Sequence, residues 1–269
     1  MFGKILENVR KSAPLVHNIT NYVTVNDCAN ILLACGASPI MADDIGEAAQ
    51  ITSICSALNI NIGTLNSRTI PAMFAAGKAA NGLKHPAVLD PVGAGASELR
   101  TDTAKNLIKE VKFAVIRGNI SEIKALALGV SNTSGVDAGA SDEITNIDGA
   151  VDFAVKFSKR TGAIIAITGA TDIVTDGKRT YLIKNGHPMM SKVTGTGCML
   201  SALVAAFTAV DGFVDGVAAA VAAMGLCGEN AVARLGKRDG NSSLRNYIID
   251  EMYNLTEKEL DEGAKYEVR

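Results

Sequence analysis

The stretch Thr194-Gly195-Thr196-Gly197-Cys198 stands directly before a long apolar run that begins at Met199. That run of leucine, valine, phenylalanine and alanine is typical of a buried helix. We therefore expect the stretch at a helix N-terminus, where unpaired backbone N–H groups and the helix dipole favour an anion. Cys198 would lie in the first helical turn, where thiolate formation is favoured. The same five residues also fit a capped core helix with a small buried cysteine, and both interpretations stay open.

Three short, wholly apolar runs earlier in the chain predict strands that are buried on both faces. They are Ala87-Val88-Leu89, Phe113-Ala114-Val115-Ile116 and Ala163-Ile164-Ile165-Ala166-Ile167. Each run leads into polar or glycine-rich residues, and helical segments lie between the runs. This pattern is typical of an α/β protein with a mostly parallel central sheet and helices on both faces. Ligands bind at the carboxyl ends of such strands, so we expect these ends to meet in one crevice.

The other segments complete the α/β pattern. Strands are predicted from Leu15 and over 58–62, with a short extended piece over 39–41. Helices are predicted over Val25–Cys35, from Glu47 through Ala57, and over 71–82. At 172–184, two apolar runs flank Asp176-Gly177-Lys178-Arg179, which predicts an antiparallel hairpin. Residues 242–269 are expected to form one mixed-charge amphipathic helix with a frayed end. We find no internal repeat, low-complexity linker or composition shift, so a single domain over residues 1–269 is the simplest expectation.

Composition narrows the class of protein. Hydrophobic residues make up 48% of the 269 residues, which argues against disorder. Lys and Arg number 26 and Asp and Glu 28, without a basic run, so neither nucleic acid nor a membrane surface is an expected partner. The five cysteines form no CxxC pair, which favours reduced thiols in a cytoplasm. The most apolar region, 199–226, is interrupted near Asp211, and we expect neither half to reach the ~18 residues that span a bilayer.

Two carboxylates are candidates for a metal site. Asp90 follows an apolar strand beside Gly93-Ala94-Gly95, where it can hold Mg²⁺ directly or through water; alternatively it caps the turn. Glu122 lies one turn into a predicted helix after Asn119, which can direct it towards the same crevice. For Glu122 a solvated glutamate at a helix start is an equally good interpretation.

Two further residues suggest a phosphate ligand. Arg117 ends an apolar strand, an unusual place for a guanidinium unless an anion binds there, because arginine binds phosphate oxygens bidentately. A structural salt bridge is the competing interpretation. Thr168 with Gly169 can bring a hydroxyl and a bare backbone near a nucleotide, or form an ordinary turn. The three histidines share no metal-ligand spacing, and no GxSxG, HExxH, P-loop or GxGxxG motif is present.

Several of these motifs, taken in order, resemble the hydroxyethylthiazole kinase family. The matching stretches are Pro14-Leu15-Val16-His17-Asn18-Ile19-Thr20-Asn21-Tyr22-Val23, Asn26-Asp27, Ser38-Pro39-Ile40-Met41-Ala42, Leu89-Asp90-Pro91-Val92-Gly93-Ala94-Gly95, Arg117-Gly118-Asn119 with Glu122, Ile167-Thr168-Gly169, and Gly195-Thr196-Gly197-Cys198. They run from Pro14 to about Phe207, which is most of the chain.

The resemblance implies a ribokinase-like fold and an ATP-dependent kinase that uses Mg²⁺. Its substrate would be the primary alcohol of 4-methyl-5-(2-hydroxyethyl)thiazole, and the reaction a salvage step in thiamine biosynthesis. By the same resemblance, the site residues divide by role: Arg117 and Thr168 for ATP; Asp90 and Glu122 for magnesium and phosphate; Met41, Asn21 and Gly195 for the thiazole; Gly195, Thr196 and Gly197 as the anion hole; and Cys198 at the catalytic position.

The family resemblance also implies a homotrimer with active sites between subunits, so that 21–26 and Gly63-Thr64 can be supplied across an interface. Cys198 stands where the wider superfamily commonly has an aspartate base, which favours the thiazole kinases over sugar or hydroxymethylpyrimidine kinases. An unperturbed thiol with a pKa of ~8.5 is mostly protonated at neutral pH, so the identity of the base stays open. Phosphoryl transfer depends mainly on positioning and charge stabilisation, so a weak base can suffice.

Three other functions fit parts of the pattern. One is a ribokinase-like kinase of another small heterocyclic alcohol. Another is a nucleotide-binding protein of the same fold without turnover, although Asp90, Glu122 and Cys198 are all present. The third is an acyl-transfer enzyme with Cys198 as nucleophile, for which no histidine stands near the motif.

Overall fold

The computed structural model describes residues 1–129 and 146–269. In these two segments the helices are α1 Phe2–Ser12, α2 Val25–Cys35, α3 Ala48–Ile54, α4 Thr69–Leu83, α5 Glu98–Glu110, α6 Ile120–Gly129, α7 Ile147–Thr161, α8 Thr196–Val210, α9 Val214–Ala233, α10 Asn241–Asn254 and α11 Glu257–Gly263. The strands are β1 Leu15–Ile19, β2 Ser38–Met41, β3 Ala57–Asn61, β4 Ala87–Asp90, β5 Val115–Asn119, β6 Ile164–Thr168, β7 Asp172–Thr175, β8 Thr180–Ile183 and β9 Tyr266–Val268. A short 3₁₀ helix covers Pro188–Lys192.

The nine strands form one sheet in the order β2-β1-β3-β4-β5-β6-β7-β8-β9. The first six are parallel, since each pair from β2-β1 to β5-β6 runs in the same direction. The last three, β7 to β9, are antiparallel to their neighbours. A mostly parallel sheet and a hairpin over 172–184 are therefore confirmed. Parallel strands bring their carboxyl ends to one edge, where the functional site forms.

Helices cover both faces of the sheet, as the apolar strands predict. Alternate residues of each strand enter opposite clusters: in β4, Val88 belongs to the cluster that includes α1, α2, α8, α9 and α10, whereas Ala87 and Leu89 belong to the cluster that includes α4, α5, α6 and α7. Strands buried on both faces require apolar residues at every position. A polar side chain in such a strand must find a partner inside the protein.

The two Ala-rich helices α8 and α9 lie at the centre of the first face. α9 has 20 residues, and its most apolar window has a mean hydropathy of 1.4. The expectation that neither apolar half reaches ~18 residues is therefore wrong for the second half, because the helix continues to Ala233. By length and composition it is able to cross a membrane. However, 78% of its most apolar window is buried inside the fold, as in the core helix of a globular protein.

Two other boundary predictions are wrong. The helix expected to continue through Ala57 ends at Ile54, and Ala57 is the first residue of β3. The tail is not one helix: α10 ends at Asn254, Thr256 caps α11 with Glu259 in a capping box, and β9 pairs with β8. Tertiary pairing with β8 thus overrides the charged, helix-like composition of the last residues.

The amino-terminal and carboxyl-terminal segments meet around Phe2. Its side chain is 1% exposed, and its ring contacts Tyr181 of β8 and Tyr266 of β9 at centroid distances of 5.8 and 4.8 Å. One aromatic cluster therefore holds α1 against the antiparallel end of the sheet.

We expect Phe2→Ala to lower the free energy of unfolding by about 3–5 kcal/mol, because it removes a buried ring and leaves a cavity. Phe213→Ala is the matched control, since Phe213 is 74% exposed, and it should change stability by less than about 0.5 kcal/mol. Urea unfolding at equilibrium measures both. Equal effects of the two substitutions would show that the cluster around Phe2 does not stabilise the fold.

Candidate active site

The carboxyl ends of β3, β4, β5 and β6 carry polar side chains on the face that α8 covers. Alternation along the strands puts Asn61, Asp90 and Arg117 on the same face as Val88 and Val115, which pack against this helix. The N-terminus of α8 lies above them. The crevice predicted from the strand endings is present.

Asp90 is the last residue of β4 and is fully buried. Its Oδ2 accepts hydrogen bonds from Asn61 Nδ2 at 2.8 Å and from Ser201 Oγ at 2.7 Å, and Arg117 lies 3.5 Å away. Burial raises the pKa of Asp90 to about 6, an effect that the positive charge of Arg117 partly opposes. These contacts replace the simpler turn-capping interpretation. Among the residues that the structure describes, its Oδ1 has no hydrogen-bond partner.

Arg117 lies at the third position of β5, which continues to Asn119, so it does not end the strand as expected. Its guanidinium contacts two other candidate site residues: Nη1 lies 3.5 Å from Asp90 Oδ2, and Nη2 donates to Thr168 Oγ1 at 2.9 Å. A Cβ atom at Gly197 would lie 2.7 Å from Nη1, so the helix start can approach this close only because residue 197 is glycine. Arg117 therefore forms the salt bridge with Asp90 and also lies at the helix start, where an anion is expected.

Glu122 is partly buried in the first turn of α6 and directs its carboxylate to backbone N–H groups. Oε1 accepts from the Gly93 N–H at 2.8 Å, and Oε2 accepts from the Asn119 N–H at 2.9 Å, while Asn119 Oδ1 caps the helix in return. Its charge also contributes to the raised pKa of Asp90. Glu122 is thus both a helix-start glutamate and a carboxylate of the same crevice.

The Gly-Thr stretch forms the start of α8, as predicted. Gly195 is the N-cap with a φ of +89°, a left-handed conformation that glycine adopts without strain. A Cβ atom there would lie 2.4 Å from Thr24 Cγ2. Glycine is therefore required at this position for two independent reasons.

Cys198 lies in the first turn of α8 and is 8% exposed. Asn21 Nδ2 donates to its sulfur at 3.2 Å. Burial and the nearby charge of Asp90 raise the pKa of Cys198, although the hydrogen bond from Asn21 opposes this. The expectation of a thiolate at the helix N-terminus is wrong, because burial and the charge of Asp90 favour the protonated thiol. A buried thiol with this pKa is also a poor nucleophile, which disfavours acyl transfer.

A cavity of about 540 Å³ opens beside the start of α8. The residues that line it are Arg117, Thr168, Gly169, Ala170, Asp172, Asn185, Gly186, His187, Pro188, Met190, Ser191, Thr196, Gly197, Leu200, Val221, Met224 and Gly225. One end is polar, with Arg117, Thr168 and the helix start. The other end is apolar, with Leu200, Val221 and neighbouring side chains. This division suits a ligand with an anionic group and an apolar ring.

Asn185 and Gly186 form a wall at the apolar end of the cavity, and α9 and the C-terminal segment hold them in place. Glu229 accepts hydrogen bonds from the Gly186 N–H at 2.9 Å and from Lys265 Nζ at 2.6 Å. Asn185 Oδ1 accepts from the Lys265 N–H at 2.7 Å. A Cβ atom at Gly225 would lie 2.7 Å from the Asn185 carbonyl carbon, so glycine permits this close packing.

The site residues predicted from the sequence lie close together, with one exception. Arg117, Thr168, Thr196 and Gly197 line the cavity, and Asn21 contacts Cys198 across the helix start. Asn21 and Gly63, which were expected to reach the site from a neighbouring subunit, lie near the site of their own chain: Asn21 contacts Cys198, and a Cβ atom at Gly63 would be 2.9 Å from Asn21. Met41 is the outlier. It ends β2 at the same edge and packs partly buried against the core.

Sequence reasoning missed Asn61, Ser201 and Asp172. The alternation in 58–62 correctly predicted β3, but Asn59 and Asn61 are buried rather than solvent-facing. Asparagine is depleted in strands, so two of them in one short strand were a usable signal for a buried polar network. Ser201 lies within the apolar run of α8, where nothing in the sequence distinguishes a serine that binds a carboxylate.

Fold and site together fit a small-molecule kinase: a mostly parallel α/β sheet with a glycine-rich helix start above the carboxylates of Asp90 and Glu122 and an arginine. The Hydroxyethylthiazole kinase family model matches residues 6–258. A hydroxyethylthiazole kinase of Clostridium acetobutylicum is 63% identical, with 99% of each chain covered. The structure of the hydroxyethylthiazole kinase from Pyrococcus horikoshii is 35% identical, with a TM-score of 0.89 over 100% of this chain and 98% of the other.

The chain therefore belongs to the hydroxyethylthiazole kinase family, and the resemblance found in the sequence is confirmed. A ribokinase-like superfamily protein of Enterococcus faecalis is similar in fold alone, at 12% identity and a TM-score of 0.66 over 95% of both chains. The predicted ribokinase-like fold is thus confirmed. Membership also confirms the predicted enzyme class, a phosphotransferase with an alcohol as acceptor.

Asp172 supports the polar end of the cavity and gives a pH-dependent prediction. Its Oδ1 accepts from the Gly169 N–H at 2.8 Å, and burial raises its pKa to about 6, from an ordinary value of about 3.9. The folded state therefore binds this proton more tightly than the unfolded state. Stability from this group is present below about pH 4 and is lost as the pH rises through about 6.

Asp172→Asn keeps an acceptor for Gly169 and removes the titration. The free energy of unfolding of the variant should increase relative to wild type between about pH 4 and about pH 6, and the difference should be constant above that range. Urea unfolding across this pH range measures it, with the exposed Asp102→Asn as control. A difference that does not change with pH, or the same profile for Asp102→Asn, would contradict the prediction.

Proposed function

We propose that this chain transfers the γ-phosphoryl group of ATP to the primary hydroxyl of 4-methyl-5-(2-hydroxyethyl)thiazole, a step in thiamine salvage. The observation that carries the proposal is the placement of Arg117, Thr168 and Gly197 at the polar end of the 540 Å³ cavity, beside Asp90 and Cys198. Family membership supplies the substrate class, and the site supplies the means to hold an anion next to an alcohol.

The cavity accommodates the nucleotide in one orientation. Triphosphate oxygens would bind Arg117, the Thr168 hydroxyl and the first N–H groups of α8, since donors and the helix dipole are concentrated there. The adenine ring would occupy the apolar end between Leu200 and Val221, where its faces replace water. This orientation would bring the γ-phosphate to Gly195 and the first turn of α8.

Asp90 and Glu122 fit a magnesium site. Asp90 has an unpartnered buried oxygen among the described residues, and its pKa is raised in part by the charge of Glu122, a repulsion that a cation would relieve. Mg²⁺ takes few protein ligands and keeps several waters, so two carboxylates can hold it, although the described residues contain no cluster of three or more metal-ligating side chains. When bound, the ion would neutralise charge on the transferring phosphate.

The thiazole would lie on the other side of Gly195, near Asn21 and Cys198. The family resemblance adds Met41, which ends β2 at the same edge of the sheet. Tyr22 and Val23 follow Asn21 directly and are 78% and 55% exposed. Two exposed apolar side chains beside a substrate site support a homotrimer in which a neighbouring subunit covers them. The five cysteines are free thiols, which fits a cytoplasmic enzyme.

The thiazole hydroxyl would attack in line, held next to the Cys198 thiol. Because the pKa of Cys198 is raised, the residue would act as a neutral thiol that orients the hydroxyl rather than as a thiolate base. Backbone N–H groups of residues 196–198 would stabilise the charge that develops on the γ-phosphate. Catalysis would then rest on positioning, which phosphoryl transfer permits.

ADP release with a panel of heterocyclic alcohols tests the function. Release should depend on the thiazole alcohol, stop when EDTA removes divalent cations, and return with MgCl₂. Arg117→Met should lower kcat/KM by about 100-fold, because it removes a charge-assisted contact to phosphate. Arg68→Met is the control, since Arg68 is exposed and pairs weakly with Asp43. Turnover with another alcohol but not with the thiazole would overturn the proposed substrate.

Cys198 variants test the role of the thiol. We expect Cys198→Ala to lower kcat about tenfold, the value of one hydrogen bond to the reacting group, with an unchanged pH profile. Cys198→Ser retains a donor and an acceptor and should keep most of the activity. The measurement is kcat from pH 6 to 10 for all three proteins. A rise of kcat at high pH that is present in wild type and absent in Cys198→Ala would show that the thiolate is the base.

A further inference from the structure

We propose that Asn61 is a positioning residue for this reaction: through Asn21, it fixes the hydrogen bond that the Cys198 sulfur receives. Asn61 ends β3 and is hydrogen-bonded to both Asp90 and Asn21. The inference deepens the proposed function, because it concerns the direction in which the Cys198 thiol can act. It rests on the directions of six hydrogen bonds.

The orientation of the Asn61 amide is set by the backbone. The Gly63 N–H can only donate, and it lies 2.9 Å from Asn61 Oδ1, so this atom must be the oxygen. The NH₂ group then faces Asp90 Oδ2 at 2.8 Å. Neither assignment depends on the protonation of Asp90.

The orientation of the Asn21 amide is set independently in the same way. Its Oδ1 accepts from the Thr24 N–H at 3.1 Å and from Thr24 Oγ1 at 3.0 Å. Its NH₂ group therefore faces two acceptors, Asn61 Oδ1 at 3.0 Å and Cys198 Sγ at 3.2 Å. Both N–H hydrogens are used, one for each acceptor. The Cys198 sulfur is thus an acceptor towards Asn21, and its S–H hydrogen must point elsewhere.

Packing leaves this arrangement little freedom. Asn61, Asn21 and Cys198 are 1%, 4% and 8% exposed. Without the Asn61 oxygen, one N–H of Asn21 would be buried and unpaired, at a cost that favours rotation of the amide away from the sulfur. Asn61 is therefore required for the N–H of Asn21 to stay on Cys198, and so for the thiol hydrogen to stay directed away from it.

Asn61→Leu tests this, because leucine keeps the approximate shape and removes both polar atoms. Asn59→Leu is the matched control: Asn59 lies two residues earlier on the same face of β3, is also buried, and donates to Asn18 at 3.0 Å, outside the site. We expect Asn61→Leu to lower kcat about tenfold, with less than about threefold change in either KM. Asn59→Leu should leave kcat within about twofold. Asn61→Ala, measured in parallel, should lower kcat by the same factor.

A double-mutant cycle distinguishes positioning from a general loss of structure. In the Cys198→Ala background, Asn61→Leu should lower kcat by no more than about twofold, because the residue acts through the sulfur. A full tenfold loss in that background, or an equal loss from Asn59→Leu, would overturn the proposal.

A readout without turnover separates this proposal from the proposed function. The S–H stretching band of Cys198 is the Raman band that disappears in Cys198→Ala. It should shift in Asn61→Leu and Asn61→Ala and stay in place in Asn59→Leu, since a hydrogen bond to sulfur alters this vibration. An unshifted band in both Asn61 variants would overturn the proposal, even if wild type phosphorylates the thiazole. A shifted band in a protein without kinase turnover would support the positioning and refute the proposed function.

Discussion

The buried carboxylate of Asp90 is the constraint on which the rest of the site depends. A fully buried aspartate is costly unless its charge is neutralised or hydrogen-bonded. Partners from three different elements offset this cost: Asn61 from β3, Arg117 from β5 and Ser201 from α8. Each partner would be poorly placed in an apolar strand or helix without the carboxylate. Two neighbouring strands and the covering helix are thereby fixed relative to one another at the edge where substrates would bind.

Close approach of α8 to this carboxylate depends on small residues at its start. Gly195 fits against Thr24, and Gly197 lies directly on the Arg117 guanidinium. The same glycines leave the backbone N–H groups of the first turn uncovered, which is what an anion requires. The Gly-Thr stretch thus allows close packing, and the same residues would bind an anion. For this reason the core-helix and anion-site interpretations of the sequence could not be separated before the neighbours were known.

Local patterns were sufficient for most of the fold, since an apolar strand buried on both faces and an Ala-rich helix need no knowledge of their partners. The local patterns failed where contacts between distant parts of the chain determine the secondary structure. Composition predicted one helix for residues 242–269, but pairing with β8 makes the end a strand. The site was predictable where a motif carried it, as for Arg117 and Thr168. It was not predictable for Asn61, because a buried asparagine acquires its role from Asp90 and Asn21, which are distant in sequence.

The charge state of Cys198 follows from the same geometry. The sequence places the thiol at a helix N-terminus, which favours a thiolate, whereas burial and the charge of Asp90 favour the protonated form. The carboxylate does not hydrogen-bond the sulfur; two neutral amides, Asn61 and Asn21, lie between them. They deliver an N–H to the sulfur without bringing a second charge into a buried space. A site arranged in this way controls the orientation of a neutral thiol, and its chemistry would rest on geometry rather than on a strong base.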